Sequence, residues 1–241
     1  MTRTAAAVLA ATVAALPAAD RSVLEPGDEV TDLPGSVLLD ADWVREQIAA
    51  SASQWGTADR RVLATLWWYA ASVWVSAAAV ASLVVTGSGL SPRPADLRIH
   101  RSPDGRPIGA SSVAVLAGSD PVRALGEALR ECFAAVGPVV ASAGRMRERP
   151  LWAIATDSLA NQCLALGRAL GDVPTLTRLA AHLAAAIGPP LPAPRYVDVG
   201  RARFTRRASC CLLVEVPGQA MCTSCPRRPP AERHALLQRL A

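Results

Sequence analysis

The chain has 241 residues, 51% of them hydrophobic, and a formal net charge of +5. That length accommodates one large domain or two small ones, and the apolar fraction, although alanine-rich, suffices for a sizeable core. All 25 basic residues are arginine, a bias that reads as base composition and weakens any argument from a single arginine. The charge is uneven: residues 195–241 hold nine arginines against Asp198, Glu215 and Glu232, a net of +6, so the preceding 194 residues net to −1. No helix-turn-helix, histidine-bearing zinc-finger spacing or aromatic-rich strand accompanies this basic end, which argues against nucleic acid as a partner. No Rossmann glycine pattern follows a strand, so the chain gives no sign of its own NAD(P)H or flavin site.

In chain order, residues 4–19 carry faint features of a signal peptide, but the single charge and alanine-rich core favour a helix with Val8, Leu9, Val13 and Leu16 on one side. Residues 20–39 read as a loop, with a short strand at Ser36–Leu39. Asp40 caps a helix to Ser51 with Trp43, Val44 and Ile48 as its apolar stripe. Thr57 caps the next, with Asp59 in its first turn. Val62–Thr86 is the most apolar run and is long enough to span a bilayer. Its Ala, Ser and Thr content and the clustering of Trp67, Trp68, Tyr69 and Trp74 at one end favour a buried central helix, with room for a break midway.

Asp104-Gly105 between Leu97–Arg101 and Pro107–Leu116 signals a hairpin, with His100 as a surface residue on its first arm. Asp120-Pro121 opens a helix that Gly137-Pro138 interrupts after Val136. A long helix covers Pro150 to Gly171, with Asp157, Ser158 and Asn161 on a solvated polar side. Cys132 and Cys163 lie among apolar neighbours and read as buried, inert thiols. Pro174 begins a helix to Ile187 that carries a structural His182. The stiff segment Gly188–Pro194 is the boundary between a helical body, 1–194, and a C-terminal module, 195–241. Forty-odd residues are few for an independent core, so the module depends on a metal and on docking. A last helix begins at Pro229-Pro230 and turns Leu236, Leu237 and Leu240 inward.

The module holds four of the six cysteines, Cys210-Cys211-x10-Cys222-x2-Cys225. The C-x-x-C half lets two sulfurs turn toward one centre. Neighbouring side chains on a regular strand face opposite ways, so Cys210 and Cys211 converge only where the backbone bends. Pro217-Gly218 supplies a turn that brings the second pair over the first. Three chemistries compete: structural zinc, for which a vicinal pair is a poor knuckle; two disulfides in an oxidising compartment; and a [2Fe-2S] cluster, which wants two thiolates per iron and finds two close pairs.

This motif, with Pro-Gly between the pairs and Arg207 just before it, resembles the C-terminal signature of the FhuF-like ferric-siderophore reductases. Trp55-Gly56-Thr-Ala-Asp-Arg-Arg and Leu151-Trp152-Ala-Ile-Ala-Thr-Asp157-Ser-Leu-Ala-Asn161 are similar to the actinobacterial members. The likeness spans roughly residues 50 to 235 and is sharpest in the last thirty. It implies a [2Fe-2S] protein, with Cys210, Cys211, Cys222 and Cys225 holding the cluster, that reduces siderophore-bound Fe(III). Positive charge stabilises a reduced, more negative cluster and attracts an anionic chelate, which singles out Arg206, Arg207, Arg227 and Arg228. Amides around Cys211, Gly218 and Thr223 and the Ser224 hydroxyl are candidates to bond the sulfurs. The expectation is thus a mainly α protein with a small antiparallel β-hairpin and an irregular C-terminal cluster module. It is expected to be cytoplasmic, with room for peripheral contact with the inner membrane face, and fed by an external electron-donor protein, a ferredoxin or a reductase. Its rivals are a colourless zinc-stabilised binding module and an iron–sulfur sensor or assembly partner.

Overall fold

The computed structural model describes residues 3–21, 24–25 and 29–241; residues 22–23 and 26–28 of the expected first loop lie outside these. The architecture is organised by α4 (Arg60–Thr86), an unbroken 27-residue helix. Its cap is Asp59, whose carboxylate accepts from the Arg61 and Val62 amides at 2.9 and 3.2 Å. Thr57 sits two residues earlier, its hydroxyl accepting from the Asp59 amide at 3.2 Å, so the cap lies two residues beyond the expected one. By length and composition α4 would suffice to cross a membrane, but 61% of its most apolar window is buried inside the protein. It is the core helix, and its small residues let neighbours approach: Ser72 and Ser158 meet at 2.8 Å between hydroxyl oxygens.

Around α4 pack α1 (Ala5–Ala15), α2 (Ala41–Ala50), α5 (Pro121–Ala143) and α6 (Arg149–Ala169), with α7 (Val173–Ile187) laid against α5 and α6. The alanine-rich first segment is a helix, as expected, and buries Val8 and the following Leu16 against Ala77, Ala78 and Ala81. Asp40 caps α2, and a short helix α3 (Ala52–Trp55), not anticipated, links it to α4. Edge-to-face contacts run through the core: Trp68 meets Phe133 at 5.9 Å between centroids, and Phe133 meets Trp152 at 6.2 Å. The Trp68 indole N–H donates to the Leu151 carbonyl at 2.8 Å, which satisfies the polar end of a fully buried ring.

Gly137-Pro138 does not end α5, which continues to Ala143. A helix-interior proline costs about 3 kcal/mol, whereas each fully buried large apolar side chain returns about 1.5–3 kcal/mol. Phe133, Val136 and Val140 are all buried, so packing outweighs the local signal. The hairpin of β2 (Leu97–Arg101) and β3 (Pro107–Ser112) forms as expected, but β1 (Thr31–Pro34) pairs with β2 and makes a three-stranded antiparallel sheet. The expected strand at Ser36–Leu39 is instead a 3-10 turn, Gly35–Leu39. Gly35 lies so near the next layer that a Cβ would fall 2.4 Å from the Pro94 carbonyl oxygen. His100 is 5% exposed, not on the surface, and its Nδ1 is 2.6 Å from an Asp32 carboxylate oxygen; the added strand is what covers it. His182 is exposed on α7.

The proline-rich connector is held to the body. The Thr156 hydroxyl donates to the Pro192 carbonyl at 2.9 Å, and the Tyr196 hydroxyl donates to the Ala160 carbonyl at 3.1 Å. Beyond it a second hairpin, β4 (Tyr196–Val199) and β5 (Ala202–Thr205), turns at Gly200 with φ of +58°. The alternation Tyr-Val-Asp-Val-Gly-Arg-Ala-Arg-Phe-Thr around Gly200 is its signal in the sequence. The closing helix α8 (Pro230–Gln238) buries Leu237, while Leu240 lies beyond its end and is 64% exposed.

Candidate metal centre

The four cysteines come together through a bend placed just after the vicinal pair. Leu212 adopts left-handed backbone with φ of +62°, a conformation that costs a non-glycine residue about 1–2 kcal/mol. Its side chain offsets that cost by burial among Val62, Leu66 and Val216. Behind the bend the Leu212 amide donates to Cys210 Sγ at 3.4 Å, and the Leu213 amide donates to the Cys211 sulfur. These are the amides that serve the sulfurs near Cys211; among the described residues neither Gly218, Thr223 nor the Ser224 hydroxyl does. The 3-10 turn that follows, Leu213–Glu215, is pinned by Glu215, which pairs with Arg61 of α4 and with Arg227 at 2.8 Å.

The sulfurs pair across the motif rather than within each half. Cys210 Sγ lies 3.9 Å from Cys225 Sγ. Cys211 and Cys222 share a hydrogen bond, and the Arg207 Nη1 donates to both, at 3.6 and 3.4 Å. One member of each pair, Cys225 and Cys211, is buried; the other, Cys210 and Cys222, is half-exposed. A separation of 3.9 Å is far beyond a disulfide bond. It matches the roughly 3.8 Å between two thiolates on one tetrahedral ion with metal–sulfur bonds of about 2.3 Å. Among the described residues no three Cys, His, Asp or Glu converge on one point, so the sulfurs lie as two pairs. Two pairs, one per iron, are the division a [2Fe-2S] cluster takes.

The floor of the site is a buried ion pair. Arg207 has a side chain 6% exposed and Asp157, on α6, one 1% exposed, with Nε and Oδ2 3.5 Å apart. The guanidinium lies over the Tyr69 ring, 4.8 Å from its centroid. Burial pulls against the Arg207 charge, but Tyr69, the Cys211 sulfur and Asp157 outweigh it and raise its pKa, so it stays protonated. The bond from Cys222 and the nearby Arg207 hold the Cys211 thiol down to about 5. Asp157 also accepts from the Ala208 and Ser209 amides, at 2.6 and 3.2 Å. Burial pushes its carboxyl up from the usual range, and those two amides with Arg207 pull it back.

Asp157 therefore anchors the cysteine loop to the helical body. It was expected on a solvated face together with Ser158, also 1% exposed, and Asn161. In fact Asn161 donates to the Tyr69 hydroxyl at 3.3 Å, so this side of α6 is an internal polar seam. A lone acid between Ile154 and Leu159, with no other charge between Arg149 and Arg168, is the available signal. The other singled-out arginines divide. Arg228 pairs with Glu232 and donates to the Met221 carbonyl at 2.6 Å, and Arg227 is held by Glu215. Arg206 is exposed.

Two pairs of cysteine sulfurs, one member of each half-exposed, with a buried cation behind one pair, form the candidate metal centre. Residues 207–227 match the family model described as the FhuF 2Fe-2S C-terminal domain, which indicates a [2Fe-2S] cluster and is consistent with a FhuF-like ferric-siderophore reductase. No curated protein and no solved structure matches the chain.

Proposed function

We propose that the protein is a ferric-siderophore reductase whose [2Fe-2S] cluster would be held by Cys210, Cys211, Cys222 and Cys225. The observation that carries the reading is the crossed sulfur pairing with Arg207 on two of the four sulfurs, set inside the matched segment. When bound, the cluster supplies a one-electron carrier between a donor protein and chelated Fe(III). Oxygen-donor chelators hold Fe(II) far less tightly than Fe(III), so one electron suffices to release the metal and no acid, base or nucleophile is needed.

The chain's own residues set the conditions for that transfer. Arg207 places a fixed positive charge on two sulfurs, which favours the reduced state. Leu212 and its apolar neighbours keep water from the Cys211 side, while the half-exposed Cys210 and Cys222 leave a short path to the surface. Asp157 holds the loop on α6 so that the sulfur geometry does not relax between states. The absence of a nucleotide pattern in the sequence supports an external donor, a ferredoxin or its reductase, and a cytoplasmic setting suits both that donor and unpaired thiols.

The test is an anaerobic purification with iron and sulfide assay, followed by stoichiometric oxidation of the dithionite-reduced protein by a ferric siderophore. Two irons and two sulfides per chain, and one Fe(II) trapped per electron stored, are expected. A colourless protein with one zinc overturns the centre. A cluster that stays reduced in the presence of every ferric chelate overturns the reductase and leaves a sensor or assembly protein.

A further inference from the structure

A cavity of about 470 Å³ opens where the connector, the start of α6 and the cysteine loop meet. Arg149, Arg195, Arg206, Arg207 and Arg233 all line it, together with Ser224, and no acidic residue does. The sequence pointed to two of these arginines; the other three come from elements far apart in the chain. Among the described residues Arg149, Arg195 and Arg206 have no acidic partner. Arg207, 94% buried by its 6% side-chain exposure, leaves its Nη2 without a hydrogen-bond partner. Arg233 donates to the Cys225 and Arg228 carbonyls at 3.3 and 3.2 Å.

Each exposed guanidinium is well solvated alone. Solvation does not account for five around one concavity, where like charges repel and low-dielectric walls focus the field. Because every basic residue here is arginine, the argument rests on convergence and not on residue type. The cavity is also adjacent to the centre: Ser224 lies beside Cys225 in its wall, and Arg207 reaches from the wall to two sulfurs.

We propose that this cavity seats an anionic ferric chelate, one whose iron is held by catecholate or carboxylate oxygens, in preference to neutral hydroxamate complexes. The assignment rests on the reductase reading for the identity of the metal. In the reaction, a reduced ferredoxin-type donor supplies one electron to the chelated iron. The chelated Fe(III) becomes Fe(II), the donor is oxidised by one electron, and no bond of the chelating ligand forms or breaks. The arginines bind the negative charge and hold the chelate beside Cys225.

The experiment titrates cluster-loaded protein by calorimetry with a redox-inert gallium(III) tris-catecholate and, separately, a neutral gallium(III) tris-hydroxamate. The parent is compared with an Arg149→Ala, Arg195→Ala, Arg206→Ala variant whose visible spectrum reports an intact centre. The tris-catecholate is expected to bind at least about tenfold more tightly than the tris-hydroxamate, and to lose about tenfold or more in the variant, with a strong salt dependence. Equal affinity for the two complexes, or an unchanged affinity in the variant, overturns the assignment. Electron transfer from dithionite-reduced protein to the ferric complexes separates the two readings. If the gallium complex binds through the arginines but no ferric complex is reduced, the cavity stands and the reductase reading falls. If the variant reduces the ferric tris-catecholate as fast as the parent, the cavity falls and the reductase reading stands. If the variant binds the gallium complex normally but no longer accepts electrons from an acidic donor protein, the cavity is the donor's docking place, and the assignment is again overturned.

Discussion

The helical body and the cysteine region are stabilised by different physics. The body buries a continuous apolar core, from Leu38 through Trp68 and Phe133 to Ile187, and needs nothing from outside the chain. Residues 206–229 contain no helix or strand longer than a 3-10 turn. Their buried apolar set is small: Cys211, Leu212 and Val216 against Val62 and Leu66 of α4. What shapes them is a left-handed Leu212, paired sulfurs, arginine–carboxylate pairs and a single buried acid. One region is held by many weak, interchangeable contacts, the other by a few specific ones, so single substitutions should act very differently on the two.

The largest effect is expected at the sulfurs. Replacing Cys210, Cys211, Cys222 or Cys225 by serine, one at a time, should abolish the visible absorption and bring iron per chain close to zero. Far-UV circular dichroism should retain the helical signal, because none of the four belongs to the main core, and Cys211 meets α4 only at its first turns, against Val62 and Leu66. Stripping the iron with a chelator should do the same to the wild type, with faster amide exchange confined to the cysteine region. Loss of the helices together with the metal would erase the distinction between the two regions.

The next effect is at the joint. Asp157→Ala removes the acceptor for two amides and leaves Arg207 buried without a carboxylate. Breaking a buried pair in this way costs about 3–5 kcal/mol. Much of that cost should appear locally, as reduced cluster loading and proteolysis near the cysteine loop, with a smaller shift in the melting of the body. Asp157→Asn, which keeps an acceptor oxygen, should be milder in the same assays. Equal cluster content in wild type and Asp157→Ala would show that the loop does not depend on its anchor.

The same contrast governs what could be read from the chain before its structure. Helices of the body are legible because their signals are local and repeated: the Asp40 cap, the apolar stripe of Val44 and Ile48, and the long run after Val62. The errors fall where a distant partner decides. Pro138 reads as a break until Phe133 and Val140 are seen packed on both sides. His100 reads as exposed until β1 pairs beside β2 and brings Asp32 to its ring, and Asp157 reads as solvated until the cysteine loop returns to it from 51 residues away. At the candidate metal centre, the cysteine cluster itself is legible because such density has few explanations. The crossed pairing is not, because it follows from the bend at Leu212, and leucine gives no warning of left-handed backbone.

Cys132 and Cys163 give the finest test, since they place the same chemical group in the other environment. Both are completely buried, and burial pushes each thiol up to about 12. At pH 8 only about one in ten thousand of either is thiolate in the folded state, and neither is reachable. In iron-free protein, brief treatment with iodoacetamide at pH 8 should modify the cysteine region, where the Cys211 thiol is held down to about 5 beside the half-exposed Cys222, while leaving Cys132 and Cys163 unlabelled until the body unfolds, as read by peptide mass spectrometry. The linkage carries a definite sign. The folded state binds these two protons more tightly than the unfolded chain, so their contribution to stability is complete below about pH 9 and is lost as pH rises toward about 12. The slope is up to about 1.4 kcal/mol per pH unit for each thiol. A Cys132→Ala, Cys163→Ala variant should start less stable and show a flatter decline in melting temperature over that range. If instead the body thiols react as fast as those of the cysteine region, the core is open on the timescale of alkylation, and the two regions differ less in rigidity than their packing implies.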